Sequence, residues 1–363
     1  WGILINTVYD NKKKLKLIPP EDKKHEVELW FWKEIKQGTY TLGDPVYIKD
    51  IIYGITNETK QKIIFIPAYN DVSRINSTLI IDIEYYIINK YNRETIDRIT
   101  IKGPEITHIF PTTLALNKID WKENGKINLS TKSFDETTTE KEFFYINNKK
   151  ASIYFGISIS SSYKTGESPM NLSSTMFIEF EPTNNYQFIV EVLNITKQFV
   201  QYLCYRRNIS FSSIELSAPT PKGFHETFAK LYKTEENNSI EEYPLQKGKF
   251  IKYEYLKGNI GKIINDIASK QIYIEHIPKS YESGRHIDAS RFVMITAGFE
   301  WEFKRNYPNG IEKSPQTLEA EKIVTNIINY LIKKYTGKTK EIFKHLKKLI
   351  STDNLASRII TYG

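Results

Sequence analysis

Cysteine is almost missing from this sequence: Cys204 is the only one in 363 residues. A lone thiol excludes an intrachain disulfide and any zinc site built on several thiolates. Set in an apolar helical pattern, it reads as a small buried hydrophobe rather than a reactive nucleophile. Histidine is scarce too. The six (25, 108, 225, 276, 286 and 345) are scattered, none has the spacing of a helical metal pair, and HExxH is absent, so no metal or other cofactor is expected. His225, in PKGFHETF, and His286, in SGRHIDAS, sit at element edges and read as structural or solvated side chains. Phosphate loops of the Walker A or GxGxxG type are lacking, and Gly258-Asn-Ile-Gly261 is too short and has no lysine, which argues against a nucleotide-driven enzyme. No GxSxG elbow marks a serine hydrolase. Long hydrophobic runs are missing as well. A membrane span needs about 18 uninterrupted apolar residues, and the richest stretch, Leu79 to Ile88, is broken by Asp82 and Glu84. WGILINTVYD followed by NKKKLK has the apolar run before the charge, the reverse of a secretory leader. A soluble, cytoplasmic protein with no membrane partner is expected. Trp1 in place of Met, and a helix-like pattern running up to Gly363, read as trimmed ends.

What is present is ample for burial: 40% apolar and 13% aromatic residues. The length exceeds the default for one hydrophobic core, so two or three domains are expected. A formal net charge of +8 favours an acidic partner such as RNA, DNA or anionic lipid. An AT-rich genome would produce much of the same Lys, Asn, Ile and Tyr content without selection for binding.

The first half reads as strands: 26–32 (EVELWFW), 62–66, 78–88, 98–102, 152–160 and 175–181, separated by turn formers such as Gly43-Asp44-Pro45 and Gly103-Pro104. Residues 117–148 are polar and read as a surface excursion. An amphipathic helix over 186–205, with Phe188, Val192, Ile195, Phe199 and Leu203 on one stripe, is followed by a strand over 209–216, which allows a crossover connection with the helix on one face of the sheet. Ser217-Ala-Pro-Thr-Pro221 reads as the domain boundary. This gives an α+β protein: a β-rich domain over 1–220, as a sandwich or a curved antiparallel sheet with a packed helix, then an α-helical bundle over 221–363. Trp30 and Trp32 share one strand face, as a stacking platform if exposed and as core if buried.

In the second half, helices are expected over 255–269, 289–305, 318–335 and 339–350, with the start of another over 353–362. Asp288 is placed to cap the helix of 289–305, whose Phe292, Ile295, Phe299 and Phe303 recur at three- and four-residue steps and read as a core stripe. Residues 318–350 hold eight lysines against three acids. Lys333, Lys334, Lys340, Lys344, Lys347 and Lys348 are the candidate RNA-binding side chains, tracking phosphates and releasing counterions. A solvated helix face and a membrane-surface helix are the competing readings of the same charges.

The run Arg291-Phe292, six residues, Phe299-Glu300 resembles the first long helix of ApeA-like HEPN domains, and Asn354-Leu-Ala-Ser-Arg358-Ile, after a lysine-rich helix, resembles the next landmark of that family. Upstream, MFIEFEP, a helix and ISFSSIEL are similar to the end of the β-rich region that precedes HEPN in these proteins. The resemblance implies a metal-independent endoribonuclease of antiphage abortive infection, a toxin-like hydrolase that cuts RNA, tRNA among the candidates. Homodimerisation through the helical domain is implied, and the N-terminal domain would sense a trigger such as a phage protein. Its chemistry uses an Arg and a His separated by four to six intervening residues: a base takes the proton from a ribose 2′-hydroxyl while a guanidinium stabilises charge on the phosphate. Glu300 would orient that pair; otherwise it is a surface or salt-bridged glutamate. No arginine here has a histidine at the required distance, since Arg207-Asn208 and Arg305-Asn306 open like the motif without one, and the pair would be expected after Gly363. The alternatives are a non-catalytic binding module that recognises a phage protein or polymer through the β-rich domain, and a peripheral membrane or scaffold protein using the basic helix.

Overall fold

The computed structural model describes residues 2–6, 13–18, 21–24, 32–36, 39–42, 51–68, 72–75, 78–121, 127–166, 168, 170–233, 240–308 and 314–351. It is a mixed α+β protein, with a large antiparallel sheet in the N-terminal part and helices at the C-terminus. Two compact units divide it: residues 1–269 with 277–286, and residues 270–276 with 287–363.

In the first unit the strands are β1 (Gly2–Asn6), β2 (Lys13–Leu17), β3 (Trp32–Lys36), β4 (Thr39–Leu42), β5 (Ile52–Ile55), β6 (Lys62–Pro67), β7 (Ser73–Ile75) and β8 (Thr78–Asn89). They continue with β9 (Ile96–Lys102), β10 (Leu116–Trp121), β11 (Ile127–Thr131), β12 (Glu142–Ile146), β13 (Lys149–Ser161), β14 (Met170–Thr183), β15 (Ser213–Pro219) and β16 (His225–Lys233). Twelve of them form one sheet in the order β1-β2-β8-β16-β15-β9-β14-β13-β12, with β5, β6 and β7 joining at β8; β3–β4 and β10–β11 are separate hairpins. Of the two expected forms, the described residues make the single antiparallel sheet.

The registers explain its two faces. Ile99 and Ile101 of β9 lie opposite Ile178 and Met176 of β14 and Leu216 and Ile214 of β15, and Ile153 and Phe155 of β13 continue the row. All are buried, seven of the eight at 1% exposure or less. Alternation at period two puts Arg98, Thr100, Tyr154, Phe177, Glu179 and Ser217 on the other face.

The apolar face is covered by helices α1 (Pro104–Ile109) and, after the short α2 (Phe134–Thr137), by α3 (Tyr186–Cys204). Asn185 caps α3 by accepting from the Phe188 amide, and Tyr205, left-handed at φ 47°, ends it. The ring of Phe188 meets that of Phe180 edge-on, and the Tyr85 hydroxyl donates to Asn194 Oδ1 at 2.6 Å. Both β14 and β15 run antiparallel to β9 and therefore parallel to each other, so α3 makes the expected crossover.

The expected boundary near residue 220 falls inside this unit. Thr220–Phe224 is a hairpin loop, closed by Thr220 N–H donating to Phe224 O with Gly223 at φ 78°, and the β16 strand beyond it pairs with both β15 and β8. Residues 117–148 are likewise more than a surface excursion, since β12 is the last strand of the sheet. The unit continues with α4 (Glu242–Gln246), α5 (Ile260–Ala268) and α6 (Tyr281–Arg285). Shorter than the helix expected over 255–269, α5 starts after Gly258, whose φ is 81°. Its N-terminus has no cap from Asn259; instead the Glu142 carboxylate accepts from Gly258 N–H at 2.8 Å and Gly261 N–H at 3.1 Å. A Cβ on Gly261 would lie 2.3 Å from Phe143 O, and Asn265 Oδ1 accepts the Tyr145 amide at 2.6 Å, so α5 lies directly against the backbone of β12.

The second unit contains α7 (Ala289–Asn306), α8 (Pro315–Lys334) and α9 (Gly337–Ser351). Asp288 caps α7 as expected, accepting the Arg291 amide at 2.7 Å. The proposed core stripe of α7 is corrected: Phe303 is buried at 2%, while Phe292 is 61% exposed and Ile295 and Phe299 are half-buried. The helix packs instead around Gly298, against Tyr273 and His276, and the Trp301 indole donates to Gln271 O. The landmark at 354–358 and the helix expected over 353–362 lie outside the described residues, as do Trp30 and the side chain of Trp32.

Candidate nucleic-acid interface

A phosphate-tracking surface needs cations held by a rigid element and left open to solvent. Helices α8 and α9 supply both. Ser314 caps α8 through the Thr317 amide, Pro315 takes the first turn, and Lys333 and Lys334 fall in its last turn, where the helix dipole favours positive charge. Gly337, at φ 62°, opens α9, and Tyr335 packs its ring on Phe343, which joins the two helices. Lys333, Lys334, Lys344, Lys347 and Lys348 are exposed and Lys340 is half-buried. The Lys334 ammonium lies 5.9 Å from the Tyr330 ring and 5.8 Å from that of Tyr335, an aromatic neighbour of the kind on which bases stack. Lys344 is paired with Glu341 at 2.8 Å, which holds the Glu341 carboxyl below its usual range.

Apolar side chains are also exposed on the helices of this unit. Phe292 and Val293 of α7, Leu318, Ile323, Ile327 and Tyr330 of α8 and Ile342 of α9 are each more than half exposed. Glu300 is half-buried on α7, and neighbouring Glu302 pairs with Arg305 at 2.6 Å.

A concentrated set of titratable groups, which the sequence reading did not assemble, lies on the polar face of the sheet. His225 places Nδ1 2.8 Å from Asp97 Oδ2 and Nε2 3.1 Å from Glu179 Oε1; that oxygen also accepts from the Tyr154 hydroxyl at 2.6 Å, while Lys141 pairs with Glu179 Oε2. Burial pushes the Asp97 carboxyl above its ordinary range against the pull of His225. Burial also acts to raise Glu179, but hydrogen bonds from Lys141 and Tyr154 outweigh it and hold the carboxyl low. Burial first, then the bond to Glu179, drives the Tyr154 hydroxyl well up. Both ring nitrogens of His225 and both oxygens of Glu179 are thus engaged internally, so the cluster ties β9, β14 and β16 together across the polar face.

The remaining residues singled out in the sequence are structural or solvated. Cys204 is buried, which pushes its thiol up to about 12. The His108 ring contacts Pro104 O, His276 stacks on Tyr273, His286 is 80% exposed beside Glu282, and His345 is exposed. Among the described residues no three His, Cys, Asp or Glu side chains are grouped to hold a metal, and no described helix is long and apolar enough to cross a membrane. No protein-family model, no curated protein and no solved structure matches this chain.

Proposed function

We propose that this protein acts on RNA, as a HEPN-type metal-independent endoribonuclease of antiphage defence whose helical unit both contacts RNA and pairs with a second copy of itself. The observation that carries the reading is that one three-helix unit presents exposed lysines on α8 and α9 together with exposed apolar side chains on all three helices. The lysines suit a polyphosphate backbone, and the apolar side chains suit a second copy, which a site assembled across two HEPN helices requires. Arg291, Phe292, Phe299 and Glu300, the residues of the resemblance, all lie on α7, which agrees with its reading as the first long helix. Glu300 is the position from which an arginine or histidine would be oriented; the Arg–His pair itself is not among the residues of this chain.

The test uses the natural protein with tRNA and with unstructured RNA, in the presence of a chelator. Cleavage leaving 2′,3′-cyclic phosphate ends is expected. Glu300→Ala should slow it without unfolding the protein. Glu substitutions at Lys333, Lys334, Lys344, Lys347 and Lys348 should weaken RNA binding, and each phosphate-contacting lysine lost should reduce the slope of log K against log salt by roughly 0.7. A protein that neither shifts nor cuts RNA, or one that binds lipid vesicles in preference, would overturn the reading.

A further inference from the structure

We draw no further inference here: the strongest candidate, the side-chain cluster of Asp97, Tyr154, Glu179 and His225 on the polar face of the sheet, carries nothing beyond the bracing already described, because both ring nitrogens of His225 and both carboxylate oxygens of Glu179 are taken up within it and nothing in the structure shows what it would bind.

Discussion

Arg206 offers the sharpest test of how the first unit is held together. Its side chain is 1% exposed and donates from Nη2 to Glu105 Oε1 at 2.9 Å, while Nε contacts Glu241 Oε2 at 3.0 Å and Asn208 O at 3.0 Å. Glu105 is also 1% exposed and has one further interresidue donor, the Ser210 amide at 3.2 Å. Arg206→Met keeps much of the volume but leaves a buried carboxylate with that single neutral donor. Breaking one half of a buried pair costs about 3–5 kcal/mol, whereas replacing both halves with apolar groups of similar volume is often neutral or stabilising. Arg206→Met should therefore lower the urea midpoint by that amount with an unchanged slope, and Arg206→Met combined with Glu105→Leu should recover most of the loss. Burial already holds the Glu105 carboxyl above its ordinary range, and without the arginine it rises further. The neutral form is the one the fold then accepts, so the deficit of the single variant should shrink as pH falls. A single variant within about 1 kcal/mol of the parent, or a double variant no more stable than the single, would refute the reasoning.

Other expectations follow from groups described above. With its thiol pushed up to about 12, Cys204 should react with a thiol-specific reagent at pH 8 roughly a thousandfold more slowly than an ordinary free cysteine, and at the ordinary rate once urea unfolds the chain; a native rate within about tenfold of the unfolded one would count against its burial. Glu179 is held below its usual range, so its contribution is present above the ordinary carboxylate pKa and is lost as pH falls through the depressed folded value. Glu179→Gln should accordingly be less stable than the parent at neutral pH, with the gap closing in acid; a pH-independent gap would show that the hydrogen bonds, not the charge, matter. Gly261→Ala, whose methyl would strike Phe143 O, should cost about 1–3 kcal/mol in thermal or urea unfolding, and no loss would mean that α5 moves freely off the strand.

Much of the sheet was readable because its strands alternate. In β9, Arg98, Thr100 and Lys102 face one way and Ile99 and Ile101 the other, and the register with β14 and β15 follows the same pattern. The stripe of α3 and the Asp288 cap are equally local signals, set within three or four residues. What failed depended on contacts distant in sequence. The period of Phe292, Ile295, Phe299 and Phe303 shows that they share a helix face but not what covers it, and Gly298, which carries the actual packing, gives no hydrophobic signal. Pro219, Pro221 and Gly223 look the same in a domain linker as in a hairpin, and only the pairing of β16 with β8 distinguishes them. His225 meets Asp97 across 128 positions and Arg206 meets Glu105 across 101, distances over which a single sequence carries no spacing rule. The lysines of α8 and α9 were found because charge on a helix is visible residue by residue.

The way α5 lies on β12 bears on what the sheet can join. A terminal strand presents unpaired amides and carbonyls that recruit strands from other molecules. Here the Tyr145 amide is taken by the Asn265 side chain, and Gly261 brings the helix backbone so near Phe143 O that a strand cannot enter between them. The helix acts as a stopper on polymerisation. Substitutions at Asn265 or Gly261 that lift the helix off the strand are expected to bare this edge and promote association between copies of the chain.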